Sequence, residues 1–326
     1  MNNNLSNPDF LQFISVNNNH AKTSNKTSDV KISMLLPTRN RPELLKQFLD
    51  SVVQTSRDLS EIEIVLYIDD DDQSTEDLDY KELNIIKLTG PRLSMGEYNH
   101  ACFYHSSGKI IILVNDDVII ETRHWDDQVK DTANINEDEI YLAYPSDTIM
   151  VKDCSFPILS RKACNLLVQP FPFVYKRLFI DIHLMDIFKR LSYAGENRIY
   201  HLENIVFKHL RNELINTDNY EKQYHSRNDL RDDIAYFSLR NMRDDQSQRL
   251  YAAIKNKELP DIKMKEDIPS FSRYLVPVLW SYVVGFLFDN KLPLSRRFSF
   301  FYWFSGHYIM TRTWLCMFRK EKLNAQ

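Results

Sequence analysis

Glycine is scarce in this 326-residue chain, and its few glycines are far apart. None of them stands in the spacing GxGxxG that binds dinucleotides, or in GxxxxGK[ST], the phosphate loop of P-loop proteins. The sequence therefore excludes both of these nucleotide-binding loops. The six glycines are Gly90, Gly96, Gly108, Gly195, Gly285 and Gly306.

Cysteine and positive charge are also in short supply. The four cysteines show no CxxC spacing, which argues against a zinc site and fits reduced thiols in a cytoplasmic protein. The formal net charge is −4. A chain without a basic balance lacks the electrostatic footprint of a nucleic-acid-binding protein, so we expect no nucleic acid partner.

Long hydrophobic runs are missing as well. No charged segment followed by an apolar one opens the chain, so we expect no secretory signal. The strongest apolar stretch, residues 274–288, is broken by Pro277 and is too short to span a bilayer comfortably. We therefore expect a cytoplasmic protein, with or without peripheral contact at the inner face of a membrane.

What the sequence does contain is a series of short apolar strands that end in polar residues. Residues 32–36, 61–68, 84–88 and 109–114 are short apolar runs, and the last is rich in β-branched residues. Helical periodicity follows the first of them, with Asn40 as the expected N-cap. This order predicts an α/β fold in which the carboxyl ends of the strands meet at one edge. Acidic side chains gather at that edge. The second group named below could equally be a solvated turn, whereas the four adjacent carboxylates of the first are more than such a turn needs, although a plain acidic loop stays an alternative. The two groups are Asp69, Asp70, Asp71 and Asp72 after the second strand, and Asn115, Asp116 and Asp117 after the last.

These motifs carry a resemblance. The stretch 34–42 (MLLPTRNRP), a strand ending in Asp, and the triplet 115–117 (NDD) together resemble the nucleotide-sugar half of family-2 glycosyltransferases of the GT-A fold. The resemblance covers roughly residues 31–210. It implies a Rossmann-like mixed sheet flanked by helices, here with a C-terminal helical extension.

The resemblance also implies roles for particular residues. The first turn would cradle the nucleotide, Asp69 or Asp71 would read the base, and the acidic triplet would hold the ribose and the metal-bound diphosphate. The implied nucleotide-sugar-binding residues are Pro37, Thr38, Arg39, Asp69, Asp71, Arg92, Met95, Gly96, Asn99, Asn115 and Asp116.

The implied metal is Mn²⁺ or Mg²⁺, with Asp117 and His209 as its ligands. Asp117 takes this role because Asn115 replaces the usual first Asp. Asp181 lies at the start of a predicted helix, where the family has its general base. A carboxylate at that position is also a common helix cap, and a lone histidine after an apolar run is often only a hydrogen-bonded residue.

The expected organisation has three parts. Residues 1–29 form a weakly ordered arm, and residues 30–259 form the glycosyltransferase domain, with a nucleotide-sugar half (30–120) and an acceptor half (121–259). Residues 260–326 form a helical extension in which aromatic and basic residues are mixed. That composition suits a membrane interface, a homodimer contact or packing on the chain's own domain, with residues 271–318 as the contact segment.

The expected function is transfer of a sugar from a nucleoside-diphosphate sugar, most simply a UDP-sugar, to an unknown glycan, lipid-linked or protein acceptor. The reaction would depend on a metal and proceed with inversion, with Asp181 accepting the proton. Two alternatives stay open. One is a catalytically silent scaffold that binds a nucleotide or a protein, and the other is a nucleotidyltransferase, which would normally carry a glycine-rich loop after its first strand.

Overall fold

A computed structural model describes residues 9–18, 31–75, 80–148, 154–210, 232–263 and 274–312. The strands in these ranges are β1 (Ser15–Asn18), β2 (Ile32–Thr38), β3 (Ile62–Asp69), β4 (Asn84–Gly90), β5 (Ile110–Leu113), β6 (Val118–Ile120), β7 (Leu142–Ser146), β8 (Ile158–Ser160) and β9 (Ile199–His209). They form a mixed sheet in the order β1-β4-β3-β2-β5-β8-β7-β9-β6.

Four neighbouring strands at the centre of the sheet run parallel. Strand β2 pairs with β3 and β5, and β3 pairs with β4, in a register that places Thr38 beside Ile68 and Asp69 beside Gly90. Nearly every residue of β2, β3 and β5 is buried, as expected for strands covered on both faces. The carboxyl ends of these strands therefore share one edge, and the residues that follow them meet there.

The helices are α1 (Pro42–Thr55), α2 (Met95–His105), α3 (Trp125–Ala133), α4 (Arg161–Leu167), α5 (Ile180–Tyr193), α6 (Asp232–Ser238), α7 (Arg240–Ile254), α8 (Leu275–Tyr282) and α9 (Leu294–Arg312). Helices α1, α2 and α4 pack on the sheet. The mixed sheet flanked by helices, with helices α8 and α9 near the C-terminus, confirms the predicted α/β fold class.

The start of α1 differs from the expectation. Asn40 is not the N-cap: the helix begins at Pro42, and Arg41 occupies the capping position without a side-chain capping bond. Asn40 instead has a left-handed backbone (φ 51°), and its N–H donates to Oδ2 of Asp72 over 2.7 Å. The acidic run after β3 therefore fixes the turn that precedes the helix.

The described chain divides into two compact units. Residues 1–185 and 198–225 make the first, and residues 186–197 and 226–326 make the second. The first unit has an aliphatic core between the sheet and its helices, whereas the second is built around aromatic rings such as Tyr236, Tyr282 and Phe304. Within the described residues, no helix is both long enough and apolar enough to cross a membrane. The predicted domain boundary at residue 260 stays a prediction.

Candidate functional site

The candidate site lies at the shared carboxyl edge of β2, β3 and β5. Strand β2 ends at Thr38, β3 ends at Asp69, and the turn after β5 carries Asp116 and Asp117. All four side chains are buried although all are polar or acidic. Buried carboxylates require partners, so their partners define what the site can do.

Asp116 is held by two side chains from the first turn. Thr38 donates its hydroxyl to Oδ2 over 2.8 Å, and Arg41 donates to Oδ1 over 3.0 Å. Burial raises the pKa of Asp116 to about 6, because the loss of solvation and the neighbouring Asp117 outweigh the opposing effect of Arg41. Both oxygens are engaged, so Asp116 is a fixed element of the pocket.

Arg39 joins the carboxylates that follow β3. Its guanidinium donates to Asp69 and makes a bidentate pair with Asp71, with distances of 2.6 and 2.8 Å. The hydroxyl of Tyr98 donates to the other oxygen of Asp69 over 2.5 Å. The hydrogen bonds from Arg39 lower the pKa of Asp71, and the positive charge of Arg92 adds a smaller contribution in the same direction. Both candidate base-reading residues are thus tied to one arginine.

Asp117 and His209 meet because β6 pairs with β9. The register places Val118 opposite His209, and the N–H of Leu210 donates to the backbone oxygen of Asp117 over 2.8 Å. The Nε2 atom of His209 lies 3.2 Å from Oδ1 of Asp117. That oxygen is buried and accepts no well-aligned hydrogen bond within the described part of the chain.

Asp147, which directly follows β7, lies on the other side of the same imidazole. Its Oδ2 is 3.7 Å from Nδ1 of His209 and accepts a hydrogen bond from Ser155 over 2.9 Å. Burial lowers the pKa of His209, but the two carboxylates outweigh it and raise that pKa to about 9. The described residues hold no ready-made group of three or more metal-ligating side chains.

Other predicted site residues occupy different surroundings. Pro37 is half-buried near the end of β2, while Asn115 and Arg92 are exposed. Asn99 is buried, and its side chain donates to the backbone oxygen of Met95 within α2. Their roles in binding a nucleotide stay predictions.

The first turn of α2 is seated against the segment 172–176. The N–H groups of Met95 and Gly96 donate to the backbone oxygens of Lys176 and Tyr175. A Cβ added at Gly96 would lie 2.0 Å from the backbone oxygen of Pro172, so only glycine permits this approach. These two amides are therefore used within the protein.

Asp181 is the second residue of α5 and is half-buried. Two residues later, the fully buried His183 has its Nδ1 3.0 Å from the hydroxyl of Tyr175. The structure thus places Asp181 in the first turn of a helix, as the sequence predicts, and its role as a base stays a prediction.

Sequence reasoning missed three residues of this edge: Arg41, Tyr98 and Asp147. Asp147 follows β7, so the same strand-end pattern that singled out Asp69 and Asp117 could have found it. Arg41 and Tyr98 could not be found in that way, because their partners depend on how α1 and α2 pack.

A model of the family "Glycosyl transferase family 2" matches residues 33–179, which include β2 to β5 and the acidic turns. The match spans 147 of the 326 residues, so residues 33–179 resemble a family-2 glycosyltransferase domain. This match and the mixed sheet bear out the predicted resemblance, the enzyme class and the mixed α/β fold.

Several solved structures resemble the chain at low sequence identity. TarS of S. aureus is 14% identical with a TM-score of 0.45, and the match covers 67% of this chain and 49% of that one, about half its length. The mannosyltransferase PcManGT from Pyrobaculum calidifontis, solved with GDP-Man and Mn²⁺, is 14% identical with a TM-score of 0.45, and the match covers 85% and 77% of the two chains.

Glucosyl-3-phosphoglycerate synthase from Mycobacterium tuberculosis, solved with Mn²⁺, UDP and phosphoglyceric acid, is 15% identical. Its TM-score is 0.43, and the match covers 71% of this chain and 80% of that one. No curated protein sequence matches the chain significantly.

Proposed function

We propose that this chain transfers a sugar from a nucleoside-diphosphate sugar, with UDP as the expected nucleotide, to an acceptor hydroxyl. The observation that supports this most directly is the set of buried carboxylates at the carboxyl edge of a domain that resembles family-2 glycosyltransferases. Ligands of open α/β sheets bind at this edge, where loops from several strands converge.

A divalent cation fits two of these residues. Oδ1 of Asp117 is buried and lies 3.2 Å from Nε2 of His209, so one hard oxygen and one imidazole nitrogen meet at the same place. A cation bound there would displace the proton that the two groups share. Mn²⁺ or Mg²⁺ held there would neutralise the charge that develops on the leaving diphosphate. Asp147 faces the opposite ring nitrogen, so it would fix the orientation in which Nε2 is presented.

The remaining residues of the edge would bind and orient the donor. Thr38 and Arg41 donate hydrogen bonds to the two oxygens of Asp116, so this carboxylate forms a rigid side of the pocket beside the proposed cation site. Arg39 bridges Asp69 and Asp71, so a nucleotide base that forms a hydrogen bond with either carboxylate must share that carboxylate with the guanidinium of Arg39. A nucleotide would therefore rearrange this arginine when it binds.

Asp181 is the proposed general base. A carboxylate in the first turn of α5 is stabilised as an anion by the helix dipole, and a single displacement with inversion needs one such group to take the proton of the acceptor hydroxyl. Replacing it should lower the rate without lowering donor affinity.

One observation favours a second candidate, a catalytically silent nucleotide- or protein-binding scaffold. Arg39 satisfies both candidate base-reading carboxylates within the protein, and Asn115 stands exposed where the family has an acid. A scaffold would bind nucleotide or a partner without turnover.

The test is release of UDP from a panel of UDP-sugars in the presence of Mn²⁺, measured for the full chain and for Asp181→Asn. We expect measurable hydrolysis or transfer, reduced by ~10²–10⁴-fold in the variant with donor affinity little changed. A matched control is Asp131→Asn, which removes an exposed carboxylate on α3 and should behave like the parent. Donor binding without turnover of any UDP-sugar would favour the scaffold, and equal loss of binding and rate in Asp181→Asn would remove its role as base.

A further inference from the structure

Helices α8 and α9 of the second unit have an aromatic inner face. Helix α8 continues through a single π-helical turn, Val283–Leu287, before α9 begins at Leu294. The rings of Phe286 and Phe304 lie 4.8 Å apart, and those of Tyr236 and Phe304 stack at 5.2 Å. The side chains of Tyr236, Phe286 and Phe304 are all buried, so these helices already have a packed surface on one side.

The opposite side of the same helices is also hydrophobic, but it is exposed. Tyr302 is 83% exposed, Val276 76% and Phe288 72%. The exposed residues recur every fourth position on each helix, which aligns them along one face of that helix. This outer face consists of Val276, Trp280, Val284 and Phe288 on the α8 side and Leu294, Phe298 and Tyr302 on α9.

Exposure on this scale needs an explanation. More than half of the exposed large hydrophobic side chains in the described ranges fall between residues 274 and 312. Single exposed hydrophobic residues are ordinary, whereas contiguous apolar patches on soluble proteins mark surfaces that contact another phase or molecule. The outer face therefore has a partner.

Charge indicates which kind of partner it is. The chain as a whole is negative, with a formal charge of −4, yet residues 274–312 carry Lys291, Arg296, Arg297 and Arg312 against one acid, Asp289. That acid is buried and paired with Arg190, over 2.6 Å. Lys291 is likewise paired with Asp244, so Arg296 and Arg297 are the cations that make the surroundings of the outer face locally basic on an acidic protein.

We propose that the outer face is a membrane-attachment surface that lies in the headgroup region of an anionic lipid bilayer. Tryptophan, tyrosine and phenylalanine beside arginine and lysine form the composition that binds such an interface, where the rings enter the acyl boundary and the cations pair with lipid phosphates. A second copy of the chain fits less well, because it would bring another basic surface against this one and the two would repel.

The test is flotation of the full chain with phosphatidylcholine vesicles and with vesicles of phosphatidylcholine and phosphatidylglycerol. We expect binding to the anionic vesicles and little to the neutral ones. The double variant Trp280→Ser/Tyr302→Ser should lose about tenfold or more in vesicle affinity, since it removes two inserted rings. Arg297→Gln should lose about fivefold, which corresponds to ~1 kcal/mol for one basic group at an anionic surface.

A matched control is Ile135→Ser, which removes an exposed hydrophobic side chain from the first unit and should leave vesicle binding unchanged. Circular dichroism should show that every variant keeps the helix content of the parent. The proposal is overturned if the full chain floats with neither kind of vesicle, or if the double variant floats as well as the parent. It is also overturned if light scattering shows a dimer that Trp280→Ser/Tyr302→Ser converts to a monomer without changing vesicle binding.

Discussion

Replacing Asp186 should destabilise the second unit strongly, because this carboxylate pairs with two buried arginines, of which Arg190 also pairs with Asp289. Its Oδ2 accepts hydrogen bonds from Nε of Arg190 over 3.1 Å and from Nε of Arg243 over 2.6 Å. Asp186 is fully buried, and the two arginines are 4% and 1% exposed. Asp186→Asn keeps the shape but removes the charge, and breaking a buried ion pair on one side costs about 3–5 kcal/mol.

The pKa of Asp186 gives the same prediction a pH dependence. Burial alone would raise that pKa, but Arg190 and Arg243 outweigh it and hold the pKa below its ordinary value of 3.8. A carboxyl whose pKa is lowered on folding contributes stability above its unfolded pKa and loses it as the pH falls through the folded value. The parent should therefore lose stability below about pH 4, whereas Asp186→Asn should lack that acid-dependent loss.

Urea unfolding followed by tryptophan fluorescence can measure this effect. Trp280 and Trp303 lie in the second unit, so a Trp125→Phe background removes the signal of a buried tryptophan in the first. A matched control is Asp261→Asn, which removes an exposed carboxylate of the second unit and should change the free energy of unfolding by less than about 0.5 kcal/mol. A loss below 1 kcal/mol in Asp186→Asn, or an unchanged acid response, would refute this account of the network.

Two further predictions concern the first unit. Gly108→Ala should reduce the free energy of unfolding by about 1–3 kcal/mol, because the added Cβ would lie 2.8 Å from the backbone nitrogen of Ser33; an unchanged denaturation midpoint would contradict this. Asp147→Asn should weaken Mn²⁺ binding roughly 10–100-fold in a calorimetric titration without nucleotide, since it releases Nδ1 of His209. Equal affinity for Mn²⁺ would show that Asp147 does not orient the imidazole.

Much of the candidate site could be predicted because it depends on strand order. Thr38, Asp69 and Asp117 follow apolar runs, and parallel strands bring their carboxyl ends together whatever the details of packing. The same reasoning places His209 at the end of a strand. Its contact with Asp117 was implied only by the family resemblance, and the observed contact results from the antiparallel pairing of β6 with β9.

Other features depend on tertiary contacts that local patterns do not encode. Asn40 has the composition of an N-cap, but its amide is bound by Asp72 from the next strand's turn, and the helix starts two residues later. Arg41 contacts Asp116, 75 residues away in sequence. The inner and outer faces of α8 and α9 could not be distinguished in the sequence, because hydrophobic residues occur on both sides of each helix.

We propose that Asp117 and His209 hold a cation that binds the donor diphosphate. This claim is tested most directly by calorimetric titration of UDP into the full chain with Mn²⁺ and without it, for the parent and for Asp117→Asn. We predict that Mn²⁺ strengthens UDP binding in the parent and that the variant loses this gain by about 100-fold or more, since even the loss of a residue that only orients a ligand costs roughly 10–100-fold. Asp131→Asn should retain the full gain. An Asp117→Asn variant that binds UDP with the same dependence on Mn²⁺ as the parent would contradict the claim.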